Sequence, residues 1–152
     1  MTPKKRIIAA SALLAPFALA AIFLRPSSET PAISPSQVYT WDCEFPAQKP
    51  EAITITCGDG GMYVDQIDWS RWDSKGAKGI GTYNVNDCDP SCAEGTFLKE
   101  KVKLHLSRLV EYKGDYFLRT LVIRTYNGEN LPHGRANFYE WDVMEFAEMI
   151  GE

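Results

Sequence analysis

From Lys101 to Ser107 polar and apolar residues alternate at every step: Val102, Leu104 and Leu106 against Lys101, Lys103, His105 and Ser107. A period of two marks a strand with one buried and one wet face; wound into a helix, the same residues would scatter around the axis. The strand reads as Phe97–Val110. Lys113-Gly114-Asp115 is a turn, and the richly apolar Tyr116–Tyr126 returns as a central strand, so the two form a long hairpin. Gly and Pro clusters cut the rest into short β-rich pieces: Tyr39–Cys43, Ala52–Cys57, Met62–Trp69 and Gly79–Val85. Gly58-Asp59-Gly60-Gly61 joins the second and third of these as a hairpin. The period changes once. Tyr139, Val143, Phe146, Ala147 and Ile150 fall on one helical face, with Asp142, Glu145 and Glu148 on another. Asn137 with Glu140 resembles a capping box, and Gly151 suits a helix stop. The expected fold is mainly β: a small antiparallel sheet of five to six strands with one C-terminal amphipathic helix packed on it, a sandwich or barrel being the rival.

The N-terminus has a different grammar. Lys4-Lys5-Arg6 precedes Ile7–Leu24, 18 residues without a charge, and Arg25 closes the run. A positive flank before an apolar stretch is the export pattern. Ala18-Leu19-Ala20 offers small residues for cleavage, while Ile22-Phe23-Leu24 extends the run toward the length of a membrane span. Residues 1–25 are therefore a signal peptide or a membrane anchor, and either leaves the remainder outside. No cysteine follows the run closely, which disfavours a lipid-anchored form. Residues 26–38, with three prolines and four serines, read as an extended spacer, and residues 39–152 as one extracytoplasmic domain. Without residues 1–20 the chain has 13 basic and 20 acidic residues. A surface that acidic argues against nucleic acid as a partner.

Cys43, Cys57, Cys88 and Cys92 all lie in the exported part, and an even count outside the cell reads as two disulfides. Cys43 with Cys57 joins neighbouring segments, and Cys88 with Cys92 needs only a tight turn around Asp89-Pro90-Ser91; Cys57 with the Cys88–Cys92 loop is the alternative. Zinc fits poorly, since CDPSC has one residue too many for a paired-cysteine knuckle and no histidine is near. The acids around the first hairpin and around CDPSC offer oxygen ligands for calcium, but lack the spaced acids and glycine of an EF-hand, and Asp and Asn favour turns for local reasons. No metal and no cofactor is expected.

Cys57-Gly58-Asp59-Gly60, Trp69-Ser70-Arg71-Trp72, Gly79-Ile80-Gly81-Thr82-Tyr83 and Cys88-Asp89-Pro90-Ser91-Cys92-Ala93-Glu94-Gly95 occur in an order that resembles a group of small exported proteins and lipoproteins of actinobacteria, over about residues 53–125. The resemblance implies an exported, β-rich, disulfide-bearing domain, and no activity.

For function, two readings from different classes stand. The first is a non-catalytic envelope or extracellular module that binds a protein, peptide or glycan. Its candidate surface is an aromatic patch at Trp69 and Trp72 edged by Arg71, against the plainer reading of one tryptophan as a core plug and one half-exposed. The second is a small secreted hydrolase using His105 with an acid from Asp59–Asp73, although a solvated strand histidine is the commoner case. A third possibility is an inhibitor of an extracellular enzyme, presenting Asp87–Gly95 as a rigid loop. His133 sits in a turn, and Gly79-Ile80-Gly81 reads as strand punctuation rather than a dinucleotide loop.

Overall fold

A computed structural model of the protein describes residues 32–151. The expected signal peptide or anchor at residues 1–25, and the start of the 26–38 spacer, lie outside the described residues. The described end of the spacer joins the domain. Pro35–Gln37 form a 3-10 turn capped by Ser34, Gln48 Nε2 donates to Pro35 O and Val38 O, and Val38 is fully buried.

Eight strands make one mixed sheet curled into a half-barrel. They are β1 (Val38–Asp42), β2 (Phe45–Ala47), β3 (Ile53–Thr54), β4 (Met62–Asp73), β5 (Gly76–Asn86), β6 (Phe97–Tyr112), β7 (Asp115–Thr125) and β8 (Phe138–Asp142), followed by the short helix α1 (Glu145–Ile150). The order is β2-β1-β7-β6-β5-β4-β3, with β8 also paired to β7. The mainly-β expectation with one C-terminal helix holds. The purely antiparallel sheet does not: β1 runs parallel to β7, through Val38 beside Tyr116 and Tyr39 beside Phe117. Further along β7, residues 120–124 pair with β8.

The curl has local causes. β4 is bulged between Asp65 and Asp68 and again between Trp69 and Arg71, and each bulge bends the strand and adds twist. Opposite these bulges β5 carries Gly79 and Gly81. A Cβ on Gly81 would stand 2.8 Å from Val64 Cγ1 and 3.0 Å from the Asp65 carbonyl oxygen, and one on Gly79 would stand 3.0 Å from the Trp69 ring. Missing side chains there let Ile67 and Trp69 close onto the strand. The inner face is then filled by Val64, Ile67, Trp72, Ala77, Tyr83, Val102, Leu104, Leu106, Leu121 and Ile123, all buried. Each large aliphatic among them contributes roughly 1.5–3 kcal/mol.

Curling brings strands from the two ends of the order together, and side chains join them. Trp72 Nε1 of β4 donates to Val38 O of β1 at 2.8 Å. Asp42 Oδ1 of β1 accepts from the Thr54 N–H of β3 at 2.8 Å. Just beyond these, Cys43 and Cys57 are disulfide-bonded with their Cα atoms 5.4 Å apart.

The C-terminus corrects the helix expected from residue 137 on. Residues 138–142 form β8 against the free flank of β7, and only Glu145–Ile150 is helical. The Asn137 capping box is not made. The Asn137 carbonyl instead accepts from the Thr125 N–H and its side-chain oxygen from Arg124. An available edge supplied backbone partners that the helical period could not reveal. Gly151 does end the helix, in the left-handed region at φ 81°.

Candidate functional site

β3 and β8 are each paired on one side only, and between them lies an open cleft of about 310 Å³. Residues 54–57 form one wall. Tyr139, Trp141 and Val143 from β8 and its exit, with Phe146 and Met149 of α1, form the other. Pairing Ile123 with Tyr139 and Leu121 with Trp141 sets the parity of β8, so these aromatics share the inner face with the core while Phe138 and Glu140 face out. The two rings lie 5.5 Å apart in a tilted contact. Apolar surface remains open at the rim, where Tyr139 is 44% and Met149 72% exposed.

An ionic clamp fixes the helical wall. Arg119 of β7 grips Glu148 with both terminal nitrogens, one at 2.7 Å, and turns its Nε to Asp142. Arg108 reaches the same Asp142 oxygen at 3.0 Å. The other Asp142 oxygen accepts from the Met144 N–H, at the start of a helix whose N-cap has no side-chain bond of its own. Glu148 first, and Asp142 second, hold the Arg119 guanidinium even more firmly protonated than usual. Single exposed pairs contribute about 0–1 kcal/mol, but bidentate geometry within a network is the arrangement in which they count.

Trp69 and Trp72 are brought together, with ring centroids 4.9 Å apart and edge to face. The bulge at Ser70 is the reason: it shifts parity, so two residues three apart share the inner face. Trp72 is 6% exposed and bonded to Val38 O; Trp69 is half-buried and donates to Pro50 O at 2.8 Å. Arg71 pairs with Lys78 on the opposite, outer face, where it forms a two-bond ion pair with Asp73. The three residues read as one patch thus belong to two surfaces, and Trp72 gives its area to the core.

Both expected disulfides are present, Cys43 with Cys57 and Cys88 with Cys92. Paired cysteines fit an oxidising, exported setting. Asn86–Thr96 is a tightly tied loop. Asn86 accepts from the Cys88 N–H and donates to Cys92 O; Asp87 Oδ1 accepts from the N–H groups of Thr96 and Asp89. Those donors, Thr96 first, hold the Asp87 carboxyl below the usual carboxylate range. Cys88 to Glu94 are exposed throughout.

His105 is exposed on the outer face of β6 beside Lys78 and Val122, and among the described residues its side chain has no hydrogen bond or ion pair. Among the described residues no hydrogen bond or ion pair joins it to an acid of Asp59–Asp73: Asp59 receives the Gly61 N–H, Asp65 the Asn84 amide, and Asp73 Arg71, while Asp68 lies on β4 opposite Ile80. His133 lines a second recess of about 290 Å³ with Tyr83, Leu131, Arg135 and Phe138. Among the described residues no group of three or more His, Cys, Asp or Glu could hold a metal, and no helix is long and apolar enough to cross a membrane.

Sequence reasoning missed the cleft because its walls come from the two ends of the domain. One signal was present: Tyr139, Trp141 and Val143 alternate, a period of two overlaid by the helical one. Compared with known protein families, curated proteins and solved structures, the chain matches none of them.

Proposed function

We propose that the protein is a non-catalytic binding module of the cell exterior, and that the β3–β8 cleft takes an extended segment of a partner protein or a peptide. The observation that carries this reading is the pairing of two sheet edges with an apolar, aromatic lining. An edge strand offers backbone donors and acceptors to a third strand, and pockets beside it take alternate side chains; β8 supplies that edge, since the Thr54 N–H of β3 is already taken by Asp42. The volume holds one or two large side chains, and the clamp at Arg119 keeps the wall in place before a ligand arrives, which lowers the ordering cost of binding. Export to the envelope, by a cleaved or uncleaved N-terminal segment, and kinship with the small exported actinobacterial proteins belong to the same proposal.

Panning random linear peptides against the full chain tests it. Selected peptides should alternate apolar and polar residues. Met149→Asp, at an exposed rim position, should leave the melting temperature unchanged and weaken them by about 2 kcal/mol, roughly thirtyfold. Peptides that bind this variant as tightly as the parent, or a library that yields no binder, would sink the reading.

One observation favours a second reading, an inhibitor of an extracellular enzyme. The Asn86–Thr96 loop is exposed and held by one disulfide and four side-chain-to-backbone bonds. A loop fixed in one shape loses little entropy on docking. Titration against a panel of extracellular proteases, with intact and Cys88→Ser/Cys92→Ser forms, decides it: stoichiometric inhibition lost with the disulfide supports it, and no inhibition ends it.

A further inference from the structure

The outer face of β5, β6 and β7 carries a strip of positive charge that, among the described residues, no acid neutralises in an ion pair. Register sets Lys78, His105 and Val122 in one row, Ile80, Lys103 and Arg124 in the next, Thr82 and Lys101 in a third, and Asn84 and Lys99 in a fourth. Lys78, Lys99, Lys101, Lys103, His105 and Arg124 are all exposed. Among the described residues none of the four lysines nor Arg124 is in an ion pair. Residues 32–151 hold 12 basic and 18 acidic side chains, so five of the twelve are gathered here on an acidic domain. Like charges on neighbouring strand positions destabilise a sheet, so folding energetics would disperse them.

We infer that this strip binds a linear anionic polysaccharide, the anion being a carboxylate or a phosphodiester. Shape selects the class. Successive outward residues of β6 stand about 7 Å apart, so Lys99, Lys101, Lys103 and His105 form a file about 20 Å long, and the three strands span about 10 Å. Acids bound the strip on both sides: Asp65 and Asp68 on β4, and Glu140 on β8. A broad anionic surface, such as a bilayer or a nucleic-acid duplex, would press its charges onto those acids; a single narrow chain lies between them. Unpaired bases would need open aromatic faces for stacking. Here cations already cover two rings at the strip, Lys103 Nζ lying 4.7 Å from the centroid of Tyr126 and Arg124 4.8 Å from that of Phe138. Paired cysteines fit an oxidising exterior, where such polysaccharides are met. This surface is separate from the cleft, and neither proposal depends on the other.

The test measures retention of the full chain on immobilised polygalacturonate, a carboxylate polysaccharide, and poly(N-acetylmannosamine phosphate), a phosphodiester-linked one, at low salt. Binding to at least one is expected, falling with added salt and weakened at least about tenfold by Lys101→Glu with Lys103→Glu. Lys49→Glu with Lys113→Glu makes the same charge change away from the strip and should alter binding by less than about twofold. Both double variants change exposed side chains, and matching melting curves will establish that each is folded. The polymer that binds identifies the acid the strip reads. Failure to bind either polymer, an equal loss in the two double variants, or strip-dependent binding that is tighter to oligothymidylate or to phosphatidylglycerol vesicles overturns the inference.

Discussion

Trp69 and Trp72 touch, yet they answer to different neighbours. Trp72 fills the inner face and satisfies Val38 O; Trp69 closes over Gly79 and keeps part of its ring in water. Trp72→Ala should cost about 3–5 kcal/mol in urea melts, as for a large buried ring. Trp72→Phe keeps most of the volume and leaves a carbonyl unpaired, for about 1–3 kcal/mol. Trp69→Ala should cost clearly less than Trp72→Ala; equal losses would mean that both rings are core. Asp87 gives a pH signature at the same scale. Hydrogen bonds from Thr96 and Asp89 lower its folded pKa below the unfolded value of about 3.9. A depressed carboxyl stabilises the fold above the unfolded pKa, and that contribution disappears as pH falls through the folded value. Amide protection factors at Thr96 and Asp89, in which the intrinsic slowing of exchange with acid is divided out, should therefore fall only on acidification below about pH 4. Asp87→Asn should flatten this dependence; an unchanged loss of protection in the variant would assign it to other groups.

Among the elements, strands that alternate without interruption were legible and those that break step were not. Lys101–Ser107 announced β6, and Lys113-Gly114-Asp115 its hairpin with β7. The bulges of β4 left only a faint trace, the three-residue spacings from Val64 to Ile67 and from Trp69 to Trp72. The parallel contact of β1 with β7 left none, because two residue pairs joined across five intervening strands carry no local pattern. β8 was hidden by a rival period, and with it the wall of the cleft. In the sequence Gly79 and Gly81 read as strand punctuation; in the fold they admit Ile67 and Trp69. This predicts that Gly81→Ala is destabilising although alanine tolerates strand geometry better than glycine. Its methyl would meet Val64 Cγ1 and the Asp65 carbonyl, and overpacking of that kind costs about 1–3 kcal/mol. A melt at or above that of the parent would show that β4 can retreat, and that the glycine does not set the curl.

At the scale of the whole molecule the two disulfides do different work. Cys88 and Cys92 are four residues apart and staple a surface loop to itself. Cys43 and Cys57 are 14 apart, and they tie the end of β1 to the chain beyond β3, across the opening of the half-barrel and at the margin of the cleft. Both pairings could be read from proximity in the chain, whereas the closure that the longer one performs depends on a strand order no local pattern encodes. Loop-closure entropy alone gives about 2 kcal/mol for the short bridge and about 3 kcal/mol for the long one. The difference should be larger in measurement. Removing Cys88–Cys92 leaves the Asn86 and Asp87 hydrogen bonds to hold their loop. Removing Cys43–Cys57 leaves the Asp42–Thr54 and Trp72–Val38 bonds to hold the curl. Urea unfolding of Cys43→Ala/Cys57→Ala should show the greater loss of stability, together with weaker binding of any peptide selected on the cleft. Cys88→Ala/Cys92→Ala should lower stability less and leave that binding intact. If the short bridge proves the more costly, closure of the half-barrel rests on its packed interior, and the long disulfide is incidental to it.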